Sequence, residues 1–279
     1  MQEEHQSLPN TDRLSVVAAS ILLAYALLPF ITLPSQTLNL NVLGVSFLFK
    51  VDFSTVAALI SGGLAAAGMS WLLRDHPRLA QPGSGETGAR GFQHWLLPAL
   101  TAWVVVVPLN SLAVGVQWWA VFAFGGLMLV LVMVAEYIAV DPADTRYGLA
   151  MVTLTAVSYT LFLVLTISLV AAGTRLYLLL PGLAVVLLLM ALRTLHLRLG
   201  GRWCYAWSIA ITLAVVQAAA ALHYWPLSPL RFGLVILGLA YALTSLAGGI
   251  EEGRPARTLW VEPVGMIVLL WGLAAGVRG

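Results

Sequence analysis

The sequence predicts an all-α polytopic membrane protein with about nine transmembrane helices and a short outer β-hairpin between the first and second. Three observations lead to this prediction. Of the 279 residues, 60% are apolar and only 9% are charged, against about 25% charged in a typical soluble domain. Apolar runs long enough to cross a bilayer recur along the chain. Most basic residues then fall on one side of the membrane, which is the pattern of multispanning proteins.

A membrane span needs about 20 largely apolar residues, the length at which a helix crosses the hydrocarbon core. That rule predicts a single transmembrane domain over residues 1–279, with a polar linker at 74–93. The nine predicted spans are residues 14–33, 53–73, 95–114, 117–139, 147–172, 177–197, 204–222, 232–249 and 259–277.

The first apolar run is too long for the core of a secretory signal peptide, so we expect it to remain as a membrane anchor. The segment 37–53 that follows alternates apolar and polar residues, for example in Leu38-Asn39-Leu40-Asn41-Val42. This period of two predicts an amphipathic β-hairpin on the outer surface. A coil that lies along the lipid interface is the alternative.

The distribution of basic residues predicts a cytoplasmic N-terminus. With that orientation, ten basic residues lie on the cytoplasmic side: Arg13, Arg74, Arg78, Arg90, Arg146, Arg193, Arg198, Arg202, Arg254 and Arg257. Four lie outside: Lys50, Arg175, Arg231 and Arg278. The linker 74–93 is then cytoplasmic, and an odd number of spans places the C-terminus outside. We expect the protein in a bacterial cytoplasmic (inner) membrane.

Several classes of function are excluded by composition. Cys204 is the only cysteine, which excludes an internal disulfide and a multi-thiolate metal site. No basic run is present that could bind nucleic acid. His94 and His196 stand at the ends of predicted spans, where we expect them to meet the membrane interface. The sequence therefore predicts no cofactor and no metal site.

One motif resembles the Glu-Glu-x-x-x-Arg signature of intramembrane CAAX-type proteases. It begins at Glu251-Glu252, but Ala256 occupies the position of the required arginine. The last histidine, His223, precedes the motif, so no histidine follows to complete such a site. We interpret the two glutamates as a solvated loop, and the sequence predicts no catalytic residue.

Two further patterns concern helix packing and the interface. Small residues over 61–68 allow close approach of helices, either within one chain or in a homodimer. Tryptophans near predicted span ends indicate an interfacial belt. They include Trp118, Trp119, Trp203, Trp225 and Trp260.

An outer loop over residues 223–231 is rich in aromatic residues and contains two prolines. A chain that prolines have already ordered loses little entropy on binding, so this loop is a candidate outer binding surface. Anchoring at the membrane interface is the alternative. The candidate residues are His223, Tyr224, Trp225, Ser228 and Arg231.

Glu136-Tyr137, the pattern Asp141-Pro142-x-Asp144-x-Arg146-Tyr147 and the run Tyr224-Trp225-Pro226-Leu227-Ser228-Pro229-Leu230 resemble a family of multipass bacterial inner-membrane proteins with no assigned function. The resemblance covers mainly the C-terminal half. It implies a bacterial multipass protein and supplies no activity.

Three hypotheses for function follow. The first is a structural or accessory subunit of a membrane assembly, which fits the lack of catalytic motifs. The second is a transporter or channel for a small or lipidic solute. The third is a lipid-processing enzyme. The expected partners are membrane lipids and either other membrane-protein subunits or a second copy of the chain. Residues that could line a path are Ser158, Tyr159, Thr160, Thr166, Ser168, Ser208, Thr212 and Gln217.

Three charged residues lie about one turn inside the cytoplasmic ends of their spans: Glu136, Arg193 and Glu262. A charge in the bilayer is costly unless it faces protein or pairs. Gly125 and Gly182 lie on the same helix faces as Glu136 and Arg193, about three turns away, which indicates helix contacts there. We hypothesise that Glu136 and Arg193 pair near Glu262 beside a polar pocket. Separate snorkelling of each side chain to the interface is the alternative.

A double-mutant cycle tests this hypothesis. We expect Glu136→Gln and Arg193→Gln each to lower the melting temperature in detergent. The double mutant should recover part of the loss, because neither charge is then left without its partner. Strictly additive losses would contradict the pairing.

Overall fold

The computed structural model describes residues 9–31, 36–42, 45–51, 53–74, 76 and 92–277. Spatial contacts divide the chain into two compact units, Met1–Ala150 and Met151–Gly279. The cytoplasmic linker predicted at 74–93 lies largely outside the described residues. The prediction of a single transmembrane domain stays a prediction.

The first unit contains four helices and two strands. They are α1 Thr11–Leu27, β1 Gln36–Val42, β2 Val45–Val51, α2 Phe53–Leu73, α3 Phe92–Ser111 and α4 Val116–Ile138. The remaining helices belong to the second unit, although the first turn of α5 precedes its boundary. They are α5 Tyr147–Ala171, α6 Leu176–Arg198, α7 Tyr205–Leu222, α8 Pro229–Glu251, the short α9 Ala256–Leu259 and α10 Val261–Gly276.

Eight helical stretches among the described residues are long and apolar enough to cross a membrane. They correspond to the predicted spans from residue 53 onward. The helix in the first predicted span, α1, has only 17 residues, so the structure does not support the count of nine. It ends at Leu27, before the turn over 28–30. Pro29 explains this early end, because proline has no backbone N–H to continue the hydrogen bonds of the helix.

The two strands lie in the segment where the sequence predicts a hairpin. They pair antiparallel, from Gln36 opposite Val51 to Val42 opposite Val45. Their position relative to a membrane stays a prediction.

In the first unit, α1 packs closely against its neighbours through small residues. Gly68 of α2 lies directly against Val17 of α1, and a methyl group at position 68 would overlap that valine. The Tyr25 hydroxyl donates a hydrogen bond to the Ala102 carbonyl oxygen of α3 at 2.9 Å. The small-residue stretch of α2 therefore forms a helix contact within the unit.

The opposite side of α1 contacts α4. A Cβ atom at Gly126 would lie 2.9 Å from Cδ2 of Leu22, closer than real carbon atoms approach. Trp118 of α4 is buried at 2% exposure and donates to the Leu109 carbonyl oxygen at 3.2 Å. The ring of Trp118 therefore fills the contact between α3 and α4, and its place in an interfacial belt stays a prediction.

Gly68→Ala tests the contact between α1 and α2. We expect it to lower the melting temperature in detergent, since overpacking a close contact costs about 1–3 kcal/mol. Gly63→Ala is the matched control, because Gly63 lies on the same helix with nothing within 4 Å of its added Cβ. Equal effects of the two substitutions would contradict this packing.

Candidate functional site

A buried polar pair lies in the first unit. His94, at the start of α3, and Glu136, at the end of α4, approach within 2.7 Å between Nδ1 and Oε2. Glu136 is fully buried and His94 is 7% exposed. Nε2 of Gln93 lies 3.1 Å from Nε2 of the histidine. A Gln93 amide that donates there leaves a neutral ring whose Nδ1–H donates to the carboxylate.

The prediction that His94 meets the membrane interface is wrong, because its ring turns inward to Glu136. Sequence reasoning missed this pair, although a signal was present. His94 and Glu136 are equally distant along the chain from Gly115, the residue that precedes α4. Two antiparallel helices joined at that point bring the two side chains to the same level.

The predicted cluster of Glu136, Arg193 and Glu262 is divided between the two units. Glu136 belongs to the first. Arg193 is 1% exposed in α6 of the second, and Glu262 begins α10 there. The pairing of Glu136 with Arg193 stays a prediction. Both predicted glycine contacts are present, since Gly125 lies against Val105 of α3 and Gly182 against Leu169 of α5.

The second unit contains a cavity of about 570 Å³ between α5, α6, α8 and α10. Most of its wall is apolar. The apolar lining includes Met151, Val152, Leu197, Leu237, Met266 and Leu270. Polar side chains line the remainder: Thr155, Tyr159, Thr194, Arg198, Tyr241, Thr244, Ser245 and Glu262. The cavity therefore combines a largely apolar wall with a polar and charged side.

The polar side of this cavity is joined to a chain of four charged residues. The Tyr241 hydroxyl donates to Oε1 of Glu262 at 2.8 Å, and Nη1 of Arg254 lies 3.5 Å from Oε2 of the same carboxylate. Arg254 also binds Glu252, with 2.6 Å between Nε and Oε2. Glu252 in turn accepts from the guanidinium of Arg198. We call Arg198, Glu252, Arg254 and Glu262 the charged chain.

Glu252 is the central acid of the charged chain. The hydrogen bond from Arg198 is the strongest influence on its pKa, and together with the charges of Arg198 and Arg254 it holds that pKa below the ordinary carboxyl value, although partial burial opposes the shift. Glu252 therefore stays ionised at neutral pH and keeps both arginines in place.

Two glycines allow this arrangement. Gly253 has φ of +68°, a left-handed conformation that glycine adopts without strain, and it turns the chain so that Arg254 reaches back to Glu252. A Cβ atom at Gly248 would lie 2.8 Å from Cδ and Nε of Arg198. The arginine side chain thus lies directly over the backbone of α8.

The interpretation of Glu251 and Glu252 as a solvated loop is correct only in part: Glu252 lies in the exposed turn after α8, but its carboxylate contacts two arginines. Glu251 is the last residue of α8, and it accepts a hydrogen bond from the Trp207 indole at 2.9 Å. Its other oxygen lies 3.3 Å from Nη2 of Arg202. Both glutamates thus have arginine partners, which the sequence pattern did not reveal.

The candidate outer surface contains exposed and inward-facing residues. Tyr224 and Trp225 are 80% and 66% exposed, and the His223 ring packs edge-on against Tyr224. Ser228 precedes α8 as its N-cap residue. Arg231 turns inward and donates from Nε to the Val277 carbonyl oxygen at 2.8 Å.

Arg231 also borders a second cavity, of about 490 Å³, between α7, α8 and α10. Its other lining residues are apolar and include Leu222, Leu227, Val235, Leu239 and Trp271. We call this space the second cavity and the larger one the first cavity.

Most of the hydroxyls that the sequence offered for a transport path are used inside their own helices. Thr166 donates to the Phe162 carbonyl oxygen at 2.7 Å, and Thr212 donates in the same way to Ser208. The same pattern holds for Ser158, Thr160, Ser168 and Ser208. Because these hydroxyl groups donate to carbonyl oxygens of their own helices, they do not form a polar path. Tyr159 differs, because it lines the first cavity.

Among the described residues, no group of three or more His, Cys, Asp or Glu side chains could hold a metal ion. The histidine and glutamate of the first unit form a pair only. In the second unit, Glu251, Glu252 and Glu262 each contact an arginine.

The fold and these sites define a class: a helical protein whose eight apolar stretches fit a membrane protein, with a charged, cavity-forming C-terminal unit. The chain matches a family model described as "Protein of unknown function (DUF5656)" over residues 33–277, and it belongs to that family. The match confirms a family without assigned function and extends beyond the C-terminal half. No curated protein and no solved structure matches the chain. The helix α1 lies outside the matched residues.

Proposed function

We propose that this protein is a multipass membrane protein that binds a lipidic amphiphile in the first cavity. The observation that carries the proposal is the combination of a long apolar wall with a charged, hydrogen-bonding side in one cavity. The proposal follows the hypothesis of a lipidic solute. The volume of the first cavity, about 570 Å³, lies within the roughly 300–1,000 Å³ of typical ligand sites.

The apolar wall suits an acyl or isoprenoid chain. Met151, Leu237, Met266 and Leu270 surround the space and offer no hydrogen-bonding group. Methionine side chains also adapt to ligands of irregular shape. Burial of an apolar chain stabilises the complex by about 25 cal/mol for each Å² removed from water.

The polar side suits a headgroup that both donates and accepts hydrogen bonds. Arg198 offers guanidinium N–H groups, whereas Glu262 offers a carboxylate that is 41% exposed. The charged chain contains two arginines and two glutamates, so its net charge is zero at neutral pH. This balance favours a neutral or zwitterionic headgroup over one with a net charge.

The contacts of the described residues bear on two of the other hypotheses. A polar channel is disfavoured because most of the hydroxyls in the helices are bonded to their own backbones. The accessory-subunit hypothesis draws support from the exposed rings of Tyr224 and Trp225, which offer a surface to a partner protein. Binding of an amphiphile is compatible with that role.

We also propose the type of membrane and the orientation of the chain in it. The bias of arginines supports a bacterial inner membrane with the N-terminus inside, and α1 as a ninth span would place the C-terminus outside. In a Cys204→Ser background, an impermeant thiol reagent applied to intact cells should label Tyr224→Cys, because Tyr224 is 80% exposed in the same outer loop, and should miss Ser84→Cys. Labelling at position 84 would show that the linker lies outside and would contradict the proposed orientation.

Filling the first cavity tests the amphiphile proposal. Met266→Trp places a large ring in the cavity, so we expect it to reduce the lipid that co-purifies in mild detergent by about tenfold, a difference of about 1.4 kcal/mol in binding. Native mass spectrometry measures the bound lipid directly.

Val268→Trp is the matched control. Val268 lies on the same helix and is 66% exposed, so the same added ring points away from the cavity and should leave lipid retention unchanged. The melting temperatures of both variants show whether each is folded. Equal lipid retention in folded Met266→Trp and in the wild type would contradict the proposal.

A further inference from the structure

We propose that the second cavity is a separate lipid site, which binds an acyl chain of an anionic phospholipid and holds its phosphate through Arg231. The site lies at the end of the second unit where α8 begins and α10 ends. It does not depend on the first cavity, which lies where α8 ends and α10 begins.

The walls of the second cavity exclude a small polar ligand. Leu222 and Leu227 close it at the α7–α8 connection, and Val235 and Leu239 line it along α8. The Trp271 indole N–H donates to the Val235 carbonyl oxygen at 3.2 Å, so this polar group is already satisfied. An acyl chain fits such walls, whereas a free phosphate ion would find a single charged contact there.

Arg231 is the one charged residue on the second cavity's lining. Two of its N–H groups, on Nε and Nη2, donate to the Val277 carbonyl oxygen. A guanidinium has five N–H donors, so three remain, and within the described residues no hydrogen bond uses them. Such donors bind phosphate oxygens with charge-assisted hydrogen bonds.

The charges of this end of the second unit favour an anionic headgroup. Residues 151–279 contain only three acids, Glu251, Glu252 and Glu262, and all three lie at the opposite end beside the first cavity. Arg231 and Arg175, the N-cap residue of α6, carry positive charge here. Because no acidic side chain among the described residues at this end offsets these charges, they attract lipids with a net negative charge.

The two cavities thus differ in the headgroup that they select. The charged chain beside the first cavity is neutral overall, whereas the second cavity has an uncompensated arginine. Vesicles that contain both a zwitterionic and an anionic lipid therefore distinguish the two sites in an experiment.

The experiment uses the full-length protein in vesicles of phosphatidylcholine with a minority of phosphatidylglycerol. After extraction in mild detergent, native mass spectrometry measures the ratio of bound phosphatidylglycerol to bound phosphatidylcholine. We expect the wild type to retain phosphatidylglycerol at several times its share of the vesicle. Retention of the two lipids in proportion to supply would overturn the proposal.

Two classes of variant locate the site. Ala218→Trp fills the second cavity from α7 and should abolish the enrichment, whereas Ala221→Trp adds the same ring at an exposed position one turn further along and should preserve it. If Ala218→Trp lowers the melting temperature too far, Ala275→Leu narrows the same cavity from α10. Equal loss in cavity-filling and control variants would also overturn the proposal.

The headgroup contact has its own readout. Arg231→Gln should reduce the enrichment about tenfold, and Arg231→Lys should restore part of it, because lysine keeps the charge but lacks the planar donor pair. Loss of the Val277 contact alone would lower stability without changing lipid preference. Met266→Trp should lower the amount of bound phosphatidylcholine and leave the amount of bound phosphatidylglycerol unchanged, so failure of the first-cavity proposal and failure of this one are distinguishable.

Discussion

A polar group on these apolar helices is costly to bury without a partner inside the protein, and the rest of the structure depends on that constraint. Hydroxyl groups satisfy it locally, as Thr101 does by donating to a carbonyl oxygen of its own helix at 2.7 Å. Charged groups cannot be satisfied in that way. They lie instead where two or more helix ends meet, so that Glu136 binds His94 and Glu252 binds Arg198. The helix ends are therefore where the chemistry of this protein is concentrated.

The charged chain shows what that constraint produces in the second unit. Partly exposed ion pairs contribute about 1 kcal/mol or less each to stability, so their main effect is geometrical. They fix the ends of α6, α8 and α10 relative to one another. Because Arg198 and Glu262 also line the first cavity, the contacts that hold these helix ends together set the shape of its polar side.

Hydropathy predicted the helices from residue 53 onward because it is a local property of the sequence. The length of α1 could be predicted only by taking Pro29 into account, because this proline ends the helix regardless of the apolar residues that follow. Partners of side chains were harder to predict, since they depend on which helices are neighbours. The symmetry of His94 and Glu136 about Gly115 was the one local clue. Neither cavity could be predicted, because a cavity depends on how well several helices fill the space between them.

The contact between Leu22 of α1 and Gly126 of α4 has a consequence for biosynthesis. The ribosome makes the chain from its N-terminus, so α1 enters the folding environment long before α4 has been translated. During that interval the groove that will hold Leu22 does not yet exist, and a helix of 17 residues has to keep its place with an incomplete set of neighbours. The helix α1 therefore reaches its final position only after α4 has emerged.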